Sequence, residues 1–70
     1  MKFDAQIKDE GDFQTLCLES PKAIEVYNSL PKDQQDLFIG EDVKKLDFEN
    51  ESILHIQSFL ISHDLSWVSF

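Results

Sequence analysis

One thiol, two imidazoles and a dense run of carboxylates are the side chains here with chemistry to offer. Cys17 paired with a histidine would make an activated nucleophile. It lies in Leu16-Cys17-Leu18, however, where burial raises a thiol's pKa and quiets it, and no base falls nearby in the pattern. His63 and Asp64 adjoin in sequence. On a helix their side chains would diverge by about 100°, too far to form an orienting pair. A histidine near a helix C-terminus is accounted for by the helix dipole alone.

Metal chemistry needs ligands that converge. His55 and His63 are eight residues apart, more than two helical turns, and no cysteine pair exists. Asp9-Glu10-Gly11-Asp12 opens like a calcium loop but lacks the bidentate Glu at the twelfth place; Glu19 falls at the eleventh. With Gly11 and Gly40 the only glycines, no phosphate-cradling loop can be drawn. The expectation is a protein that is not an enzyme, with no cofactor and no metal.

The carboxylates remain. Fourteen acids face six lysines and no arginine, for a net charge of −8. Phosphate backbones and anionic membranes would repel such a chain, and the residue best shaped for bidentate phosphate binding is missing. Direct nucleic-acid binding and membrane association are therefore disfavoured. Asp33, Asp36, Glu41, Asp42, Asp47, Glu49 and Glu51 fall within nineteen residues that hold only Lys44 and Lys45 in the interval. Packed as short helices and a turn, this segment would present a ridge of carboxylates able to imitate a phosphate backbone. A purely solvated, solubilising face is the plain alternative.

The elements that would position these groups are short. Seventy residues make one domain, residues 1–70, with stability of roughly 4–10 kcal/mol at about 0.05–0.15 kcal/mol per residue. A lone cysteine excludes an internal disulfide, and with no apolar leader or 18-residue apolar run, a cytoplasmic setting is expected. Phe3, Ala5 and Ile7 alternate as on a strand, Gly11 marks a turn of four or five residues, and Phe13 to Leu18 reads as the returning strand. Ser20-Pro21 is a helix start, with Ala23, Ile24, Tyr27 and Leu30 at helical spacing. Pro31 opens a second helix through Leu37-Phe38-Ile39, with a short strand as the alternative for those last three. A third helix starts at Glu41-Asp42 and ends near Lys44-Lys45. Asp47 to Ser52, polar except for Phe48, is a break with Asn50 as cap of the last helix, about Glu51 to Ser62. The fold class is α+β: an N-terminal β-hairpin, three or four short helices, and a C-terminal tail.

That tail decides between two shapes. Ser58, Ser62, Ser66 and Ser69 keep helical spacing, whereas Leu65-Ser66-Trp67-Val68-Ser69-Phe70 is rich in strand formers. The preferred reading stops the helix near His63, lets Asp64 take the left-handed conformation with Leu65 as the closing apolar contact, and pairs the tail with the hairpin as a third strand. Ser52 to Phe70 holds ten strongly hydrophobic side chains and one acid. Trp67 and Phe70 are the anchor types that dominate interfaces.

Two functional expectations follow. The first is an acidic, non-enzymatic inhibitor or regulator that occludes the basic surface of a nucleic-acid-handling protein, a nucleic-acid mimic of the kind phage antagonists of restriction or CRISPR systems use. The second is a dimeric structural or adaptor subunit that binds through its apolar C-terminal segment, its charge serving solubility. A homodimer would also help so small a core.

Overall fold

The computed structural model describes residues 3–69. Strand β1 (Ala5–Asp9) and strand β2 (Phe13–Leu18) form the expected antiparallel hairpin, Ile7 opposite Leu16 and Ala5 opposite Leu18. Four residues, Glu10 to Phe13, separate the last paired positions Asp9 and Gln14, within the expected length. Gly11 takes φ 95° and donates its N–H to the Asp9 carboxylate at 2.8 Å. The Glu10 N–H donates to the Phe13 carbonyl at 3.0 Å, which leaves Gly11 and Asp12 at the tip, where a tight hairpin turn calls for positive φ.

Helix α1 (Pro21–Asn28) starts as its sequence implies, with the Ser20 hydroxyl accepting the Ala23 N–H at 3.0 Å and Pro21 at the first helical position. Its buried side chains are Ala23 and Tyr27, one helical turn apart. Helix α2 (Lys32–Gln35) is a single turn and does not reach Ile39. The chain breaks away because Phe38 turns inward to meet Tyr27 edge-on, ring centroids 5.6 Å apart, while the Gln35 carboxamide donates to the Tyr27 carbonyl at 2.8 Å.

The helix expected from Glu41 is absent. The Asp42 carboxylate accepts the Lys44 N–H at 2.9 Å, the local side-chain bond that competes with helix formation. The Val43 carbonyl accepts the Leu18 N–H at 2.9 Å, drawing the chain alongside β2. Strand β3 (Leu46–Glu49) follows, antiparallel to β2, with Leu46 opposite Leu16 and Phe48 opposite Gln14. The segment expected to be a break is thus a strand, and Phe48 is fully buried, edge-on to Phe38 at 6.1 Å. Ile39 bridges Asp47 on the outer side of β3 through two backbone bonds of 2.7 and 3.2 Å.

A 3-10 turn, Asn50–Ser52, leads into helix α3 (Ile53–Ser62). Asn50 does not cap it. Its amide donates to the Gly11 carbonyl at 2.9 Å and accepts from Gln14 at 3.2 Å, pinning the hairpin loop instead. The end of α3 is as expected. Asp64 has φ 56°, its N–H donates to the Ile61 carbonyl, and the Leu65 N–H donates to the Leu60 carbonyl at 2.9 Å. Buried Leu65 then closes on the helix. The tail is extended: strand β4 (Trp67–Ser69) runs parallel to β1, with Trp67 beside Ala5.

The sheet order is β3-β2-β1-β4, so α3 must cross the sheet to link its two edges. One face carries Ala5, Ile7, Leu16, Leu18, Leu46 and Phe48, which pack with Ala23, Tyr27, Ile56 and Leu60 of the helices as one core. The other face, with Gln6, Lys8, Thr15, Cys17, Asp47, Glu49 and Val68, has no helix over it among the described residues.

Asp4 joins three segments. Its carboxylate accepts the Ser66 N–H at 2.9 Å and the Ser66 hydroxyl at 3.2 Å, its N–H donates to the Ser66 hydroxyl, and its carbonyl accepts the Glu19 and Ser20 N–H groups. The Ser20 hydroxyl foremost, then Ser66, hold its pKa below the ordinary 3.8. Asp4→Ala is expected to lower stability by about 1–2 kcal/mol in urea unfolding. A carboxylate whose folded pKa is depressed contributes stability above its unfolded value and loses it as pH falls. The wild-type advantage over Asp4→Asn should therefore be full near pH 7 and shrink below 3.8; a pH-independent difference would contradict the clasp. Asp64→Gly should raise stability by about 0.5–1 kcal/mol, since glycine occupies the left-handed position at less cost.

Candidate interaction surface

The seven acids from Asp33 to Glu51 do not line one helical ridge, because β3 interrupts them. Asp33 is in the first turn of α2. Asp36 and Glu41 lie on the helix side of β3, close enough to the Tyr27 hydroxyl that, after burial, their charges raise its pKa. Asp47 and Glu49 alternate on β3 and point to the open face of the sheet. Glu51 follows in the 3-10 turn, and Asp42 is held at the turn before β3 by the Lys44 N–H. The acids therefore wrap the β3 edge from both sides of the sheet.

Most of this charge is unspent. All seven acids except Asp47 are exposed. Among the described residues there is one ion pair, Lys44 with Glu19 at 3.2 Å, and Glu19 is not one of the seven. Asp47 is half-buried and accepts the Thr15 hydroxyl at 2.7 Å, so its carboxylate is partly committed to holding β3 against β2.

The apolar candidates are placed differently. Trp67 is half-buried and packs against the core from β4, on the same face as Ala5. Phe70 lies outside the described residues. The exposed large hydrophobics are Phe3, Phe13, Leu37, Ile39, Leu54 and Ile61. Sequence reasoning did not single out Leu54 and Ile61 as exposed, because a helix apolar on all sides does not reveal which side the sheet covers.

Cys17 points to the open face, away from its leucine neighbours, as alternation implies. Its thiol donates to the Glu19 carboxylate at 3.1 Å. Burial first, then the Glu19 hydrogen bond and charge, push the thiol pKa above its ordinary value. That is the reverse of an activated nucleophile. His63 packs its ring against Phe59 at 5.2 Å, and Lys22 donates to the Asp64 carbonyl, so the His63-Asp64 pair serves the end of α3. No group of three His, Cys, Asp or Glu side chains able to hold a metal ion occurs among the described residues, and no helix there is long and apolar enough to cross a membrane.

No family model, no curated protein and no solved structure matches this chain.

Glu19→Gln removes the negative charge beside the thiol and should lower the Cys17 pKa. Alkylation by iodoacetamide near pH 8 should then run about 2- to 10-fold faster than in the wild type. An unchanged rate would mean that Glu19 does not hold the thiol protonated.

Proposed function

We propose that this chain is a non-enzymatic acidic binding protein that occludes the basic surface of a nucleic-acid-handling protein. The observation that carries the reading is the uncompensated charge from α2 through β3 to the 3-10 turn: six exposed carboxylates without an ion pair among the described residues. Charges left unpaired destabilise a small fold by mutual repulsion, and a positively charged partner relieves that repulsion on binding. An edge clad in carboxylates on both sides of the sheet suits a concave basic groove, the shape in which a nucleic acid is held, better than a flat surface. Association would be steered by the field and weakened by salt.

The adaptor reading through the tail has less behind it, since Trp67 is half-buried in the fold's own core.

The test is a nuclease-treated pull-down from native lysate at about 50 mM and about 500 mM salt. The expected capture is a basic nucleic-acid-binding protein, held at low salt and shed at high salt; in a separate competition, this chain should displace that protein from DNA or RNA. The triple variant Asp36→Lys, Glu41→Lys, Glu49→Lys changes exposed side chains only and should keep its circular dichroism while losing about 100-fold or more in affinity. Binding retained by the triple variant would overturn the reading.

A further inference from the structure

Tyr27 is 7% exposed, and its phenolic oxygen makes no hydrogen bond to any of the described residues. No sealed polar side-chain atom among those residues lacks a hydrogen bond, so this oxygen keeps an opening. It opens on a recess of about 560 Å³ between α1, α2 and the segment that follows α2, walled by Tyr27, Asn28, Gln35, Asp36, Phe38 and Glu41. A phenol in that position is placed to accept from, or donate to, whatever enters.

The walls are fixed to one another. The Gln35 carboxamide donates to the Tyr27 carbonyl at 2.8 Å, and Phe38 stands edge-on to the Tyr27 ring with centroids 5.6 Å apart. Asp36 and Glu41 bring their carboxylates close enough to the hydroxyl to raise its pKa, yet neither bonds it. Lys32 also borders the recess. The single ion pair among the described residues is Lys44 with Glu19, so neither carboxylate is spent on Lys32. An aromatic wall, an unbonded hydroxyl and two unpaired carboxylates thus share one recess.

We infer that this recess seats the guanidinium group of an arginine side chain. The inference deepens the occlusion reading and takes its basic partner from it, one arginine of that partner being anchored here. The chain has no arginine of its own, so the occupant comes from another molecule. Two carboxylates call for a cation, and chemistry chooses which. A metal ion would find too few protein ligands, since no three His, Cys, Asp or Glu side chains gather to hold one among the described residues. An ammonium is a strongly hydrated point charge and would have to shed water against the buried rings of Tyr27 and Phe38. A guanidinium is planar, more weakly hydrated and at ease against aromatic rings. Its five N–H donors are enough to serve both carboxylates and the hydroxyl together.

The test follows backbone amide chemical shifts of the folded chain as N-acetyl-arginine amide is added at constant ionic strength, with the lysine and citrulline counterparts alongside. Shifts should concentrate on the residues that wall the recess, with a Kd of about 1–10 mM. The lysine compound should bind at least about 3-fold more weakly, and the uncharged citrulline compound should not bind. Tyr27→Phe removes only the hydroxyl and should weaken arginine binding about 3- to 10-fold. Glu41→Gln should weaken it further, whereas Glu49→Gln, on the open face of the sheet, should not. The bound charge should also draw the pKa of Tyr27, the sole tyrosine, back toward the ordinary 10.0. Equal binding of arginine and lysine, shifts spread over all the acids, or a Tyr27→Phe chain that binds like the wild type would overturn the inference. The occlusion reading fails separately. A basic protein captured by the wild type, lost by the triple lysine variant and indifferent to Tyr27→Phe upholds that reading and overturns the arginine seat; arginine binding confined to the recess with no protein captured does the reverse.

Discussion

The architecture depends on the Asp4 carboxylate. β4 is only three residues long and has a single neighbouring strand, β1, so its own ladder bonds cannot hold it in place. Asp4 fixes the start of β4 by accepting both the N–H and the hydroxyl of Ser66, and the adjacent Ala5 N–H donates to the Ser66 carbonyl at 3.0 Å. With the register set at Ser66, Trp67 falls beside Ala5 on the core face. A slip of one residue would turn Trp67 to the open face and send Val68 inward. The same aspartate, through its carbonyl, turns the end of β2 into α1. One residue, through its carboxylate and its backbone carbonyl, therefore ties the last strand to the start of the first helix at the edge of the core.

The charge distribution has a structural use as well as a binding one. An edge strand exposes unpaired backbone groups that invite pairing with other chains, and proteins blunt such edges with charge or with local cover. β3 has both: Ile39 occupies the backbone of Asp47, and acids flank the strand on each side. The side chains that repel a second β3 are those that would attract a basic surface.

Local signals in the sequence were legible. The hairpin could be read from Phe3-Ala5-Ile7 alternation, the start of α1 from Ser20-Pro21, and the end of α3 from Asp64-Leu65, because each depends on neighbours within a few residues. β3 was not read. Leu46-Asp47-Phe48-Glu49 does alternate, but four residues are too few to outweigh the dipole-matched charges of Glu41-Asp42 and Lys44-Lys45, and the deciding partner is β2, some thirty residues away. The acids of the candidate surface were legible as a group. Their wrapping of an edge was not, since it follows from β3. The outward turn of Leu54 and Ile61 was hidden for a related reason: α3 is apolar around its circumference, and only the position of the sheet tells inside from outside.

β1 is an interior strand whose two neighbours arrive at very different times. β2 follows after a short turn, whereas Ser66 is separated from Asp4 by 62 positions. On a translating ribosome, at about 5–20 residues per second, the first strand waits roughly 3–12 s before its second partner exists. Until then β1 can pair on one side only, with Ala5 and Ile7 not yet covered by helix α3, and a lone hairpin is marginally stable at best. The pairing of β1 is thus completed only by the last strand of the described chain, once Ser66 can reach Asp4.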